Sequence, residues 1–520
     1  MLVEENGIGR GDKKTTFIAN LIGAAGNEMA TYAPIPFFHT TDNRAFLIDN
    51  TEYSLFDFSD ANYINLTVFS NEISGTIWQA DSPKTLLKQY TSKTGRMPVL
   101  PAFTDGTILG LQGGKEKVEQ IIAETLAYGN PVSAIWIQDW VGKRQTPIGS
   151  RLQWDWQADE TVYPDFKNWC DSLNEEGIKV LGYINPYMVE DRKTAEEALE
   201  YNYVVKDKNG EPYKFKAGGF KAYMIDFTNP EAYEWYKNII KNEMINMSLS
   251  GWMADFAEWL PFDAQLHSGI DAATYHNQYP VDWMQLNKEA VEEMNRADIF
   301  IFNRSGFTNS NKHSIAFWAG DQTTDFGMHD GLPSAICAYN SSGLSGIAIN
   351  HSDIGGYTAI GLWPFKVLRD KDVFYRWTEM ETFTPIFRTH EGLIPDNMIQ
   401  FYSDTETQEF FAKMGKIHKD LYPLFKKYNE EASETGLPII RHPYLEFPND
   451  ENTFDLKYQF MVGDTLMVVP VIEANALKVK GYLPHGKWQH FFTNEIFEGG
   501  QFYEFEAPYG QPAVFYLISK

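Results

Sequence analysis

A chain of 520 residues, 43% of them hydrophobic, carries enough apolar mass for more than one folded unit. Its formal net charge of −26 argues against nucleic acid or an anionic membrane surface as a partner. Fourteen Trp and 28 Tyr suit sugar-binding clefts, although large β cores use aromatics too.

The N-terminus, Met1-Leu2-Val3-Glu4-Glu5-Asn6-Gly7, has no basic or apolar leader pattern. No apolar run approaches the ~20 residues of a membrane span. The two cysteines, Cys170 and Cys337, lie in helix-like stretches without metal-ligand spacing. Together these predict a reduced, cytoplasmic protein. Residues 1–95 read as β-rich, with short runs at Phe46–Ile48, Tyr53–Phe58 and Tyr63–Val68 between Asp, Asn and Gly turns. Asn65-Leu66-Thr67 matches a glycosylation sequon, read as a chance match here. A short helix is predicted over Ser82–Gly95.

From about residue 96 to 436, strands alternate with helices. The predicted strands are Thr107–Gln112, Val132–Trp140, Lys179–Tyr187, Gly251–Trp259, Ile299–Ser305, Ser314–Asp321, Ser345–His351 and Pro385–His390. The predicted helices are Lys115–Tyr128, Asp165–Glu176, Glu231–Met247, Trp283–Asn295, Gly331–Asn340, Lys371–Phe383 and Gln408–Glu430. Eight such units predict an α/β fold, a (β/α)8 TIM barrel, with insertions at about 187–229 and 260–281. Residues 437–520 lose the helix signal and read as a C-terminal β-domain.

Barrel chemistry sits at the C-terminal ends of the strands. There the sequence offers Gln112, Gln138, Asn185, Asp255, Glu258, Arg304, Trp318, Asp321, His351, Asp353, Arg388 and His390, with Arg151 and Trp154 in the loop after the second strand. Two apolar strands, ending at Asp255 and at Asp321, each deliver a carboxylate to the same rim. A buried carboxylate is costly unless paired or used. The pair suits glycoside hydrolysis, where one carboxyl donates a proton and the other attacks. Strict alternation puts Glu258 on the opposite face from Asp255 unless the strand end turns. The alternatives are a strand-end Asp that caps a loop, a Glu258 paired with an Arg, and a metal site from His351, Asp353 and His390. The last lacks a typical ligand spacing, so no metal and no cofactor is predicted.

Four separated stretches resemble glycoside hydrolase family 31: Ala254 to Pro261, Trp318-Ala319-Gly320-Asp321, His351 to Tyr357, and Arg388-Thr389-His390-Glu391-Gly392. Within it the chain is most similar to the sulfoquinovosidase branch, over nearly its whole length. The resemblance implies a retaining, exo-acting enzyme on α-linked sugars that releases sulfoquinovose from sulfoquinovosyl glycerol or the sulfolipid. It implies Asp255 as nucleophile, Asp321 as general acid/base and Glu258 as support. Arg304, Trp318 and His390 would line the −1 sugar site. Gln112, Gln138, Arg151, Trp154 and Tyr357 match the branch's sulfonate-binding set. A sulfonate is always ionised, and Arg, indole and amide donors suit its three oxygens. The runner-up is an α-glucosidase or α-xylosidase of the family; a catalytically inactive sugar-binding protein is the non-enzyme alternative. By the resemblance, residues 1–95 are the last part of an N-terminal β-sandwich and residues 437–520 a C-terminal sandwich. Open sandwich edges leave room for a homo-oligomer.

Overall fold

The computed structural model describes residues 31–60, 62–146, 149–217, 220–361 and 366–519. All eight apolar runs predicted as barrel strands enter one parallel sheet. They are β1 (Thr107–Leu111), β2 (Val132–Ile137), β3 (Lys179–Ile184), β4 (Gly251–Ala254), β5 (Phe300–Asn303), β6 (Ala316–Trp318), β7 (Asn350–His351) and β8 (Phe387–Arg388). The order is β7-β6-β5-β4-β3-β2-β1-β8. The ring closes just beyond β7 and β8, where Ile354 and Thr389 form a parallel bridge and Ile354 N–H donates to the Arg388 carbonyl (3.1 Å). Strands buried on both faces need near-continuous apolar residues, which is why these runs were legible. The first strand is buried at every position, and so are the fourth and fifth.

Helices cover the outside. The helix Pro230–Ile239 starts as its sequence predicts: the Asn229 side chain accepts from Glu231 N–H and Pro230 occupies the first turn. It continues as a π-helical segment, Ile240–Ile245. The single helix predicted over Gln408–Glu430 is two, Thr405–Asp420 and Tyr422–Thr435. Pro423 lacks an N–H and so begins a new helix rather than continuing the old one.

Both predicted insertions overhang the C-terminal rim. The first forms an antiparallel sheet, Tyr187–Val189, Phe220–Met224 and Phe215–Ala217, with the helix Lys193–Glu200. The second is tied to it by the Lys206–Gln265 bridge. The stretch after β2, predicted as a loop, is a hairpin, Lys143–Thr146 paired with Gly149–Leu152.

Before the barrel, Phe37–His39, Arg44–Ile48 and Gly75–Gln79 form a three-stranded antiparallel sheet. It packs on the helix Pro83–Thr94, where the Phe37 and Tyr90 rings stack at 3.9 Å. Ser54–Asp57 and Asn65–Val68 make a separate hairpin. After the barrel, a six-stranded antiparallel sheet faces the ribbon Lys478–Leu483/Gln501–Glu506 across a core of Met461, Val469, Leu483, Trp488, Phe505 and Phe515. This region also carries the short helix Pro443–Glu446, where no helix was predicted. Among the described residues no helix is long and apolar enough to cross a membrane.

Candidate active site

The predicted fourth strand, Gly251–Trp259, stops at Ala254. Asp255 is the first residue past it, and Phe256 and Ala257 then take positive φ (58° and 86°). Such angles are unfavourable for residues with a Cβ and persist only where surroundings impose them. These two residues break the strand alternation, so Glu258 reaches the same guanidinium as Asp255.

All three candidate carboxylates meet one guanidinium. Arg304, one residue past β5, has a fully buried side chain. Its Nη2 and Nε donate to Glu258 Oε1 (2.6 and 3.1 Å). Its Nη1 donates to Asp321 Oδ2 (2.9 Å), and Nε lies 3.3 Å from Asp255 Oδ1. A planar fork with five donors suits this task, and an ammonium would not. The guanidinium lies over the Phe256 ring at 4.3 Å, which gives the strained turn a packing reason.

The two aspartates differ in surroundings. Burial raises the Asp255 carboxyl, but Arg304, the Tyr183 hydroxyl and the Phe256 N–H all favour its ionised form, while Glu258 opposes. Tyr183 donates to Oδ2 at 2.6 Å and Phe256 N–H to Oδ1 at 2.8 Å. Asp321 has the Arg304 contact and lacks these donors; burial, Asp255, Asp353 and Glu258 push it up to about 7. Burial raises both carboxyls, but Asp255 has two hydrogen-bond donors for its ionised form that Asp321 lacks, and Asp321 is the one poised to hold a proton near neutrality.

Beside them, Gln112 past β1 and Gln138 past β2 touch, with Gln138 Nε2 donating to Gln112 Oε1 (3.4 Å). Together with Trp136 and His390 they line one cleft. His390 stands edge-on to Trp136 at 4.8 Å and against Tyr357 at 4.8 Å. Burial, then Arg388 and Arg369, hold its imidazole well below the usual range. Its Nδ1 accepts from Gly392 N–H (2.8 Å), which leaves Nε2 as the protonated nitrogen. Burial raises the Tyr357 hydroxyl, as do Asp321 and Asp255, while Arg151 and Arg304 oppose. Tyr357 thus feels the field of both the carboxylates and Arg151. Arg151 lies on the hairpin, and among the described residues its side chain donates only to the Ser150 carbonyl (3.3 Å). Just past the hairpin, Trp154 packs edge-on to Phe256 at 5.5 Å. No direct contact joins Arg151 to the two glutamines among the described residues. Trp318, at the end of β6, packs edge-on to Phe302 at 5.7 Å. Its Nε1 is buried without a hydrogen-bond partner among the described residues, and so is Glu258 Oε2.

Residues 97–427 match the Glycosyl hydrolases family 31 TIM-barrel domain, and residues 436–517 match the Glycosyl hydrolase family 31 C-terminal domain. The chain belongs to glycoside hydrolase family 31. Over 518 residues it is 38% identical to a sulfoquinovosidase of Escherichia coli (strain K12), covering 98% of this chain and 75% of that protein. It is 37% identical to a sulfoquinovosidase of Agrobacterium fabrum (strain C58), covering 98% of this chain and 77% of that one. Among solved structures it resembles a GH31 family sulfoquinovosidase from E. rectale in complex with the aza-sugar inhibitor IFGSQ. That match has a TM-score of 0.95 and 38% identity, over 99% of this chain and 78% of the other. The chain is accordingly a glycoside hydrolase.

In this family 31 site, His351, Asp353 and His390 do not converge as metal ligands. His351 is held by the Phe317 carbonyl at Nδ1 (2.9 Å) and by Arg388 Nε at Nε2 (2.9 Å). Asp353 pairs with Arg388 Nη2 (2.5 Å). No cluster of three His, Cys, Asp or Glu side chains among the described residues could hold a metal ion.

Three residues escaped the sequence reading. Tyr183 reads as an ordinary strand interior; its place two residues before Asn185, which donates to its hydroxyl (3.0 Å), was the available signal. Arg369 lies between elements, with nothing in its neighbours to mark it. It is buried and donates to the carbonyls of Ile354, Gly356, His390, Glu391 and Ile399 and to Gln400 Oε1. Burial draws its guanidinium down to about 10, so it stays charged at neutral pH. Tyr32 comes from before the first described strand and stacks on Arg304.

Proposed function

We propose that the chain is a retaining, exo-acting α-sulfoquinovosidase. The carrying observation is Arg151. In a chain of net charge −26 it lies without an ion-pair partner among the described residues, close enough to Tyr357 to oppose the upward push on its hydroxyl. An anion on the sugar gives that cation its partner; a neutral sugar does not. Gln138, Gln112, Tyr357 and the Trp154 indole supply further donors around the sulfonate, and the likeness to two sulfoquinovosidases supports the same reading.

The chemistry follows from the two acids. Asp321 gives its proton to the glycosidic oxygen as the C–O bond breaks. Asp255, ionised, takes the anomeric carbon and forms a glycosyl ester. The Asp321 carboxylate then removes a proton from water, which attacks the same carbon and releases the sugar with its configuration retained. Arg304 holds both acids and is itself held by Glu258. Trp318 Nε1 and Glu258 Oε2 offer one donor and one acceptor to sugar hydroxyls. His390 Nε2 offers another donor. Substrates of this class are sulfoquinovosyl glycerol and the sulfolipid. The free cysteines Cys170 and Cys337 support a cytoplasmic setting.

The test is a paired rate assay on aryl α-sulfoquinovoside and aryl α-glucoside, with the first-formed anomer read by NMR. Activity on the sulfonate alone with an α product supports the proposal. Activity on glucoside alone makes this an α-glucosidase, a β product refutes retention, and activity on neither refutes the sulfoquinovosidase proposal.

A further inference from the structure

Two aromatic rings lie against the Arg304 guanidinium. Phe256 lies at 4.3 Å and Tyr32 at 4.7 Å. Phe256 belongs to the Asp255 turn. Tyr32 belongs to the N-terminal unit, far from the barrel in sequence. Its carbonyl accepts from Gly306 N–H (3.3 Å), two residues after Arg304, which fixes where the ring can sit. The same ring rests on Gly320. A Cβ there would meet Tyr32 at 2.1 Å, and at φ 94° the backbone favours glycine anyway. Gly320 immediately precedes Asp321. One half-buried ring thus covers both the guanidinium and the backbone that presents the acid.

We infer that Tyr32 is a positioning residue of the active site: the N-terminal unit lends a ring that holds Arg304 in plane and limits the access of water to the Arg304–Asp321 pair, whose guanidinium is fully buried and whose carboxyl keeps partial exposure. The inference rests on the acid/base reading of Asp321. The charged and titratable groups around Asp321 are Arg304, Asp255, Asp353, Glu258 and Tyr357, and Tyr357 in turn feels Arg151. Burial is the largest influence raising Asp321 and Arg304 the next, in the opposite sense. Opening the roof weakens both, and the larger one decides the sign. Asp321 then loses its proton at lower pH.

The experiment compares kcat/KM against pH for aryl α-sulfoquinovoside in the full chain, Tyr32→Ala, Tyr32→Leu and Tyr32→Phe, with thermal unfolding of each. Asp321→Ala is the control that assigns the alkaline limb. Tyr32→Ala is expected to move that limb down by about half to one pH unit, since solvent access reduces the desolvation of the acid. Tyr32→Phe, which keeps the ring, should leave it in place, and Tyr32→Leu should fall between. Profiles that superimpose after scaling, whatever the loss of rate or melting temperature, overturn the inference and make Tyr32 structural only. A Tyr32→Ala chain that melts early counts through Tyr32→Leu, whose unmoved limb overturns it equally. If Asp321→Ala keeps the wild-type alkaline limb, the acid/base reading itself fails and the inference falls with it; a limb lost in Asp321→Ala yet unmoved by Tyr32 variants sinks the inference alone.

Discussion

Tyr183→Phe deletes one oxygen atom beneath Asp255 and leaves the ring that fills the barrel. The hydroxyl donates to Asp255 Oδ2 at 2.6 Å and accepts from Asn185 Nδ2 at 3.0 Å. A hydrogen bond to an ionised group contributes about 1.5–3 kcal/mol. This one favours the charged carboxylate, so its loss raises the proton affinity of Asp255, adding to the upward push of burial. At about 1.4 kcal/mol per pH unit, the acid limb of kcat/KM should climb by about one to two units. The alkaline limb, set by Asp321 near 7, should stay. Activity needs Asp255 ionised and Asp321 protonated together, so the bell narrows from its acid side and its height falls. Asn185 also loses an acceptor, which should lower stability by about 1–3 kcal/mol. Rates on aryl α-sulfoquinovoside across the pH range, with thermal melts, read both effects. An acid limb at its wild-type position, with only a uniform loss of rate, would falsify Asp255 as the group that must be ionised.

Asp255→Asn removes the attacking oxygen and should lower kcat by about 10⁶-fold or more, with binding retained by calorimetry; substantial turnover would exclude it as nucleophile. Asp321→Ala should slow substrates with poor leaving groups by about 10²–10⁴-fold and activated aryl substrates less. Equal slowing of the two would mean that Asp321 transfers no proton to the leaving oxygen. Arg151→Ala should raise KM for the sulfonated substrate by about 10- to 100-fold, the loss of one charge-assisted contact, and an unchanged KM would place the sulfonate elsewhere.

The barrel was readable because strands buried on both faces must be apolar throughout, and Ile108, Leu109, Ile135, Trp252 and Phe300 leave little else to read. Strand ends were overrun for a related reason. Trp259 and Leu260 continue the apolar pattern after the ladder has stopped at Ala254, and nothing about Phe256 or Ala257 announces a left-handed turn. The C-terminal strands Ile496–Glu498 and Gln501–Glu506 went unread, since their exposed residues break the apolar signal. At the site, residues with marked chemistry on strand ends were legible: Asp255, Glu258, Asp321, Arg304 and His390. What sequence order cannot give is convergence. Tyr32 and Arg304 meet across about half the chain, and only the fold shows that a single guanidinium serves three acids.

The Arg369 side chain has a consequence for how this pocket can change. It ties the Ile354–Gly356 loop, which leads into Tyr357, to the His390–Glu391 loop and to Ile399. The walls that follow β7 and β8 are therefore cross-linked through one side chain. A chimera that imports the Tyr357 loop alone from a glucose-specific relative strands a buried cation among misplaced carbonyls. One that imports both loops with the intervening Arg369 segment keeps the clamp whole. The boundary of that block is drawn by a residue whose hydrogen bonds, among the described residues, all go to loop carbonyls and to Gln400.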